Sequence, residues 1–316
     1  MSDNSGYNVE LNLFQRLGLE ALWAFSRLMS LSPRWFRFYM LQPFFTLLLR
    51  ITGYRSRVIV DNLRRAFPEK LKSEIRKLRN RYYSTLSEIA VDTVCMAGVD
   101  IKSRGKYIVW ENGKQQQAEV RGRDWVALAS HFGCWEYFPM YAWEFENDRF
   151  MSVYHPLSSK VFEVYYRRIR QFASNIDQVP MQHSLRHYLT HRSKGYGICL
   201  GLVSDQSPNL TPETEWIEFF GQPTAFVDGG ERLALKFHIP AYFGYIRRIE
   251  KGKYGVTLEL LYDGEEEMAP GEITRRYAQR LEQMIRETPE LWMWSHRRWK
   301  HTPEKQMRRF GKTTLK

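Results

Sequence analysis

A histidine and a glutamate five positions apart, His131 and Glu136, have the residue types of a catalytic base and its partner. They follow a short apolar run, 125–129, that has the length of a buried strand. On one helix this spacing would turn the two side chains about 140° apart. They can meet only if His131 ends the strand and Glu136 lies in the first turns of a following helix, which Gly133 makes easy. Such a pair would be a general base oriented by a carboxylate; the alternative is a strand-end histidine and an unrelated exposed glutamate.

Cys134 lies between these two residues and offers a rival mechanism, in which a Cys–His pair performs nucleophilic catalysis. A free cysteine is more often a small buried hydrophobic residue. The three cysteines, at 95, 134 and 199, lack metal-binding spacing and indicate a reducing compartment without a disulfide framework. The sequence also has no Gly-rich phosphate loop, and we expect neither a metal nor an organic cofactor.

Two further groups of polar residues follow strand-like runs. Arg168 and Arg170 lie near the end of a helical stretch. Arginines held at a fixed site bind phosphate or carboxylate in a bidentate manner; the alternative is that these two form an ordinary basic helix face. Asp205 and Gln206 follow the apolar run 198–203. Polar residues at the carboxyl ends of strands face the ligand crevice of an open α/β sheet, although Asp205 could instead cap a turn.

The region from residue 106 onward alternates between strand-like and helix-like patterns. Strands are predicted at 106–110, 118–121, 125–129, 150–154, 197–203, 241–246 and 256–261. Helices are predicted at 133–143, 160–172, 184–190, 229–236 and 275–286. This alternation predicts an α/β fold with a mixed, largely parallel sheet flanked by helices.

The N-terminal region is the most hydrophobic part of the chain. Residues 38–49 are nearly uncharged, but a dozen residues are fewer than the roughly 20 that a spanning helix needs. We expect residues 1–52 to form a helical membrane anchor that lies in the interface; a single span or a helix buried in the core are the alternatives. We predict a catalytic domain over 53–303 and a solvated or surface-bound basic tail over 304–316.

The chain is strongly basic, with a formal net charge of +12 and a pI of about 9.5. Eleven Lys or Arg stand against three acids between residues 50 and 81, directly after the apolar region. Such composition suits an anionic membrane surface, nucleic acid or an acidic protein. A non-catalytic basic protein that binds a membrane surface or nucleic acid is therefore an alternative. Such binding would not require His131, Glu136, Arg168 and Asp205 to follow successive strands.

A set of short segments recurs in a distinctive order along the chain: Tyr54-Arg55-Ser56-Arg57, Asp61-Asn62-Leu63-Arg64-Arg65-Ala66-Phe67-Pro68, Ser130-His131-Phe132-Gly133-Cys134-Trp135-Glu136, Val153-Tyr154-His155-Pro156, Arg168, Arg170, Asp205-Gln206, Phe219-Phe220-Gly221 and Trp294-Ser295-His296-Arg297-Arg298-Trp299-Lys300. Taken in this order, the segments resemble the late acyltransferases of lipid A biosynthesis, the lauroyl/myristoyl transferase family of the bacterial inner membrane. The resemblance extends from about residue 15 to residue 303.

The resemblance implies a glycerolipid-acyltransferase-like fold. It also implies a reaction in which a fatty acyl chain is transferred from acyl carrier protein, or acyl-CoA, to a hydroxyl of a phosphorylated lipid A precursor. The enzyme would act at the cytoplasmic face of the bacterial inner membrane, without a nucleic-acid partner. His131 would be the general base and Glu136 its partner. Arg168 and Arg170 would contact substrate phosphates, and Asp205 and Gln206 would line the substrate site.

The sequence departs from the family pattern at two places. Ser158-Ser159-Lys160 stands where the family usually has Asn-Pro, and Gln171-Phe172-Ala173 stands where a glycine usually follows the arginine pair. Both places bear on the acceptor more than on the reaction. Acyl transfer to another membrane lipid, such as an aminolipid, a lysophospholipid or a glycolipid, is the alternative.

Overall fold

The structure, a computed structural model, describes residues 9–145 and 147–315. The described residues form ten strands: β1 Ile108–Trp110, β2 Trp125–Ala129, β3 Arg149–Tyr154, β4 Ile176–Pro180, β5 Ile198–Val203, β6 Glu215–Phe219, β7 Gln222–Ala225, β8 Ala241–Glu250, β9 Lys253–Tyr262 and β10 Thr314–Leu315. They form eleven α-helices: α1 Leu13–Leu31, α2 Arg34–Phe36, α3 Gln42–Thr52, α4 Ser56–Ala66, α5 Lys72–Cys95, α6 Gly113–Val120, α7 Lys160–Arg170, α8 Ser184–His191, α9 Gly229–Phe237, α10 Glu272–Glu287 and α11 Pro303–Phe310.

Seven strands form the central sheet in the order β1-β9-β8-β2-β5-β3-β4. Neighbouring strands run parallel except for the antiparallel hairpin of β8 and β9. All five residues of β2 are buried, as its uninterrupted apolar sequence predicts for a strand at the centre of a sheet covered by helices. The predicted α/β fold with a mixed, largely parallel sheet is therefore confirmed.

Some predicted elements differ from those observed. Residues 118–121 were predicted as a strand, but α6 continues through Val120, because Gln116 and Val120 bury one face at a helical spacing of four. The predicted helix at 133–143 is a 3₁₀ segment, Trp135–Glu144, which contains Pro139. Proline lacks the N–H that an α-helix interior requires. Strands β4, β6 and β7 escaped prediction because charged or proline residues interrupt them.

Helices α1 and α3 of the N-terminal region pack on neighbouring helices and leave apolar residues on the outside. Helix α1 contacts α7, where the hydroxyls of Ser26 and Tyr165 lie 2.6 Å apart. Helix α3 contacts α5, where Gln42 Nε2 donates to the carbonyl of Ser84 at 2.9 Å. Their exposed large apolar residues are Leu13, Phe14, Leu17, Phe25, Leu28, Leu31, Phe44, Phe45, Leu47, Leu48 and Ile51. No helix in residues 9–145 and 147–315 is long and apolar enough to cross a bilayer.

The basic C-terminal segment packs against a second, smaller sheet. This sheet has the order β10-β6-β7. Gln306 of α11 is fully buried, and its Oε1 accepts a hydrogen bond from Trp216 Nε1 of β6 at 2.7 Å. Most side chains of the predicted basic tail over 304–316 are exposed on α11, but Gln306 and the backbone of β10 bind it to β6.

Candidate active site

The register of two central strands brings His131 and Asp205 together. Strands β2 and β5 are parallel neighbours, and Ala129 is paired with Val203. His131 and Asp205 each lie two positions beyond this pair, at the carboxyl ends of the strands. Residues that leave neighbouring parallel strands at the same level enter the same crevice. The two side chains therefore meet although they lie 74 positions apart in sequence.

Asp205 forms three hydrogen bonds, two of them with His131. Its Oδ1 lies 2.7 Å from Nδ1 of the His131 ring, and its Oδ2 accepts from the backbone N–H of His131 at 3.1 Å. Trp292 Nε1 also donates to Oδ2, at 2.7 Å. Burial alone would raise the pKa of Asp205, but the nearby His131 and these hydrogen bonds outweigh it and lower the pKa. Asp205 is thus an ionised carboxylate that fixes a proton on Nδ1 and leaves Nε2 as the basic atom.

The other ring nitrogen of His131 faces a side-chain amide. Gln206 Nε2 lies 3.2 Å from His131 Nε2 and also contacts the sulfur of Met293, at 3.7 Å. The ring of Trp135 packs edge-on against the imidazole, with 5.0 Å between centroids. The His131 side chain is 18% exposed, so a substrate hydroxyl can reach Nε2 if it displaces the Gln206 amide.

A loop near the C-terminus closes the site from the other side. The backbone N–H of Met293 donates to the carbonyl of His131 at 3.1 Å, and the N–H of Gly133 donates to the carbonyl of Leu291 at 2.9 Å. These bonds place Trp292 against Asp205. Trp292 was not among the residues that the sequence predicted for the site. Its indole N–H was the available signal, because a buried tryptophan N–H usually finds an acceptor.

The structure corrects the expected pairing of His131 with Glu136. Both carboxylate oxygens of Glu136 bind Arg170, at 2.6 and 2.7 Å. Glu136 lies in the 3₁₀ segment rather than in the first turn of an α-helix, and it turns toward the end of α7. Burial would lower the pKa of Arg170, but the charge of Glu136 outweighs it and raises the pKa. This bidentate pair lies next to Trp135, which contacts the His131 ring.

Arg168, the other arginine considered for the site, contacts the N-terminal helix. Its Nη1 donates to Glu20 Oε1 at 2.8 Å, and its guanidinium lies 4.1 Å above the ring of Trp23. Both contacts are with residues of α1, so Arg168 fastens α1 to α7. Any substrate contact of Arg168 would have to be made from this surface, where its side chain is 38% exposed.

Cys134 has the environment of a structural thiol. It is only 3% exposed. Burial raises the pKa of its thiol well above the usual value, and the nearby carboxylates of Asp92 and Glu136 act in the same direction. A thiol that stays protonated is a poor nucleophile. The rival Cys–His mechanism therefore finds no support in this geometry.

Comparison with known proteins gives one family for nearly the whole chain. The profile of the family described as bacterial lipid A biosynthesis acyltransferase matches residues 11–301. The match includes His131, Glu136, Arg170, Asp205 and the loop that carries Trp292. A search of curated proteins found no match.

Proposed function

Because the chain belongs to the bacterial lipid A biosynthesis acyltransferase family, we propose that it moves a fatty acyl chain from acyl carrier protein to a hydroxyl of a lipid A precursor. The observation that carries the proposal is the hydrogen-bonded pair of His131 and Asp205 at the carboxyl ends of two central strands. Acyl transfer from a thioester needs a base for the attacking hydroxyl, and this pair has the composition and order of one.

The proposed reaction proceeds in two steps and needs no covalent enzyme intermediate. The acceptor hydroxyl displaces the Gln206 amide and donates its proton to His131 Nε2 while its oxygen attacks the thioester carbonyl. Asp205 stabilises the imidazolium that results. The tetrahedral intermediate then collapses, the carbon–sulfur bond breaks, and the leaving thiolate takes the proton from Nε2. A positioned base of this kind typically contributes about 10²–10⁴ in rate.

We assign Glu136 and Arg170 a positioning role in this reaction. Their bidentate pair fixes the 3₁₀ segment to α7, and Trp135 of that segment packs against the His131 ring. The histidine is thereby held from two sides, by Asp205 at Nδ1 and by Trp135 at the ring edge. The phosphate contact that the resemblance implies for Arg170 would have to form beside Glu136, which already binds Nε and Nη2 of the guanidinium.

The proposed place of action is the cytoplasmic face of the inner membrane. The exposed apolar residues of α1 and α3 support it, since a helix with such a face can lie in the membrane interface. The residues Leu13, Phe14 and Leu17 of α1 and Phe44, Leu47 and Leu48 of α3 are all more than 45% exposed. A lipid acceptor would then reach the enzyme from the bilayer on which these helices rest.

Acyl carrier protein is proposed as the donor because a basic surface borders the active site. We call this surface the α4 basic surface; it consists of Arg55, Arg57, Arg64, Arg65, Arg297 and Lys300, all of them exposed. Arg55 Nη1 donates to the carbonyl of Ser295 at 3.0 Å, and Asn62 of α4 donates to the carbonyls of Trp294 and His296. Helix α4 is thus bound to the loop that carries Trp292, and an acidic carrier docked there would lie beside the site.

The deciding experiment is an acyl-transfer assay with the full chain in detergent. Acyl carrier protein charged with labelled acyl chains of several lengths is supplied with total inner-membrane lipid, and the products are identified by mass spectrometry. We expect a lipid A species heavier by one acyl group with the wild type and almost none with Asp205→Asn. A labelled aminolipid, lysophospholipid or glycolipid would contradict the proposed acceptor and establish the alternative. No labelled lipid from folded wild-type protein would overturn the proposed function.

A further inference from the structure

The side-chain amide of Gln206 occupies the place at His131 that an attacking hydroxyl has to take. Its Nε2 lies 3.2 Å from Nε2 of the His131 ring. An amide nitrogen only donates, so the ring nitrogen that faces it has to be the acceptor. This agrees with the proton that Asp205 fixes on Nδ1. The lone pair of the proposed base is therefore already bound by a protein group, in a contact that we call the Gln206 cap.

Contacts on both sides hold the Gln206 cap in place. Gln206 directly follows Asp205, whose Oδ2 accepts from the backbone N–H of His131 at 3.1 Å. On the other side, Gln206 Nε2 contacts the sulfur of Met293 at 3.7 Å. The backbone N–H of Met293 in turn donates to the carbonyl of His131 at 3.1 Å. The amide thus bridges the end of β5 and the C-terminal loop, and both of these are bound to the histidine.

The surroundings of the imidazole show what the Gln206 cap excludes. Asp205 binds the ring at Nδ1, and Trp135 packs against it with 5.0 Å between centroids. The His131 side chain is nevertheless 18% exposed, so the ring is in contact with solvent. A water molecule bound at Nε2 would be activated in the same way as an acceptor hydroxyl. Without the amide, the base would therefore promote hydrolysis of the acyl thioester.

A lipid acceptor and a water molecule differ in how readily they can displace the amide. Water offers His131 Nε2 a hydrogen bond that merely replaces the one from Gln206. A lipid also binds the enzyme through the rest of its structure, and this binding energy can offset the loss of the amide contact and fix the hydroxyl at the base. The Gln206 cap consequently opens more readily to the acceptor than to solvent.

We propose that Gln206 is a specificity-determining residue, which keeps water from the base and so favours acyl transfer over thioester hydrolysis. The proposal rests on the proposed function, since it takes His131 as the base and a thioester as the donor. In the suppressed reaction, a water oxygen attacks the thioester carbonyl and its proton passes to His131 Nε2. The carbon–sulfur bond then breaks, the leaving thiolate takes the proton from Nε2, and a fatty acid and a thiol are released.

The test measures hydrolysis by the full chain in a detergent without hydroxyl groups. Labelled acyl carrier protein of several chain lengths is supplied without lipid, and the released fatty acid is quantified. We expect Gln206→Ala to raise hydrolysis by roughly three- to tenfold, the factor that corresponds to one net hydrogen bond. Gln206→Met, which fills the space without donating, should give a smaller rise. Gln115→Ala, at an exposed position of α6, is the control and should behave as wild type.

A rise in hydrolysis cannot result from misfolding, so the expected outcome is distinct from damage to the site. Hydrolysis in Gln206→Ala that equals or falls below that of the wild type would overturn the proposal. In His131→Gln/Gln206→Ala the additional hydrolysis should disappear. If it persists, His131 is not the base, and both this proposal and the proposed mechanism are contradicted.

Carbethoxylation with diethyl pyrocarbonate tests the Gln206 cap without any acyl transfer. At one fixed pH, mass spectrometry follows modification of the peptide that contains His131, with the exposed His155 as internal standard. We expect His131 to react several-fold faster in Gln206→Ala than in the wild type, because Nε2 is then open to the reagent. Equal rates would show that the amide does not cover Nε2 and would overturn the proposal, even if the donor or acceptor differs from the one proposed.

Discussion

The carboxylate of Asp205 lies 2.7 Å from Nδ1 of His131 although 74 residues separate the two in the sequence. The contact follows from the register of β2 and β5, in which Ala129 pairs with Val203. It assigns the orienting carboxylate to a different strand end from the one that the spacing of His131 and Glu136 suggested. The proposed base and its partner are therefore brought together by the register of two strands, which the spacing of neighbouring residues in the sequence does not reveal.

Asp205→Asn should abolish most of the activity while leaving the protein folded. An asparagine has the size of the aspartate, but it cannot offer two acceptor oxygens to His131 and Trp292, and it does not stabilise an imidazolium. We expect kcat to fall by about 10²–10⁴. Steady-state acyl transfer and the melting temperature are measured together.

The matched control for Asp205→Asn is Asp263→Asn, at an exposed position, and it should behave as wild type. A variant with kcat within a factor of three of wild type would remove Asp205 from the mechanism.

The Glu136–Arg170 pair should contribute more to stability than the Glu20–Arg168 pair. Both arginines lie on α7. Glu136 is nearly buried, and loss of one partner leaves a charge uncompensated, so Arg170→Gln should cost about 3 kcal/mol of unfolding free energy. Arg168→Gln, whose pair is exposed, should cost less than about 1 kcal/mol. Urea unfolding measures both.

A double-mutant cycle separates the pair from its surroundings. Glu136→Gln/Arg170→Gln removes both charges, and we expect its loss of stability to be smaller than the sum of the two single losses. If the losses simply add, the two side chains are not coupled. Activity should fall in the single variants, since Trp135 then loses its fixed position against His131.

Two strand ends at the site could be predicted from the sequence, but the side-chain pairs that form there could not. The ends of β2 and β5 were found because their apolar runs stop at polar residues, and this placed His131 and Asp205 at the site edge. The pairing of His131 with Asp205 and of Glu136 with Arg170 was not predicted, because the 3₁₀ segment after Gly133 turns Glu136 toward Arg170. Polar strands such as β4 carry Asp177 and Gln178 inward, where Arg149 and the carbonyl of Arg167 bind them, so no apolar pattern marks these strands.

The stability of the fold should depend on His296 in mildly acidic solution. Burial, helped by the charge of Arg298, lowers the pKa of His296 from 6.5 to about 4. The unfolded chain therefore binds a proton between pH 6.5 and about 4 that the folded chain does not bind, and the free energy of unfolding falls as the pH is lowered through this window. With allowance for partial exposure, we expect roughly 1–2 kcal/mol to be lost at pH 4.5.

His296→Gln should remove this part of the pH dependence. Urea unfolding at pH 7 and at pH 4.5 gives the difference for wild type and variant, and the variant's difference should be smaller by the amount expected for one histidine. His155→Gln, at an exposed position, is the control. Equal pH dependence in His296→Gln and wild type would contradict the assignment.

Gly133 should not tolerate a side chain. Its φ is +53°, and an added Cβ would lie 2.6 Å from Cε1 of Tyr254, a buried ring. We expect Gly133→Ala to lose about 2–3 kcal/mol of stability and to lower kcat, because the turn also positions His131. Gly105→Ala is the control, since a Cβ there meets no atom within 4 Å. Wild-type melting temperature and activity in Gly133→Ala would contradict the observed turn.

The α4 basic surface should determine the use of a protein-bound donor. Within the described residues, Arg57, Arg64 and Arg65 form no ion pair with an acid, so their charges are available to an acidic partner. Arg57→Glu/Arg64→Glu should lower kcat/KM for acylated carrier protein by roughly tenfold or more at low salt, and the loss should shrink as ionic strength rises. Transfer from acyl-pantetheine, which carries no protein, should change by less than a factor of two.

The control for this charge reversal is Arg308→Glu/Arg309→Glu on α11, which makes the same change of charge at an exposed surface. Equal losses with both donors would mean that the substitutions damage the site itself. An unchanged donor preference with weaker sedimentation on phosphatidylglycerol vesicles would assign this surface to the membrane instead.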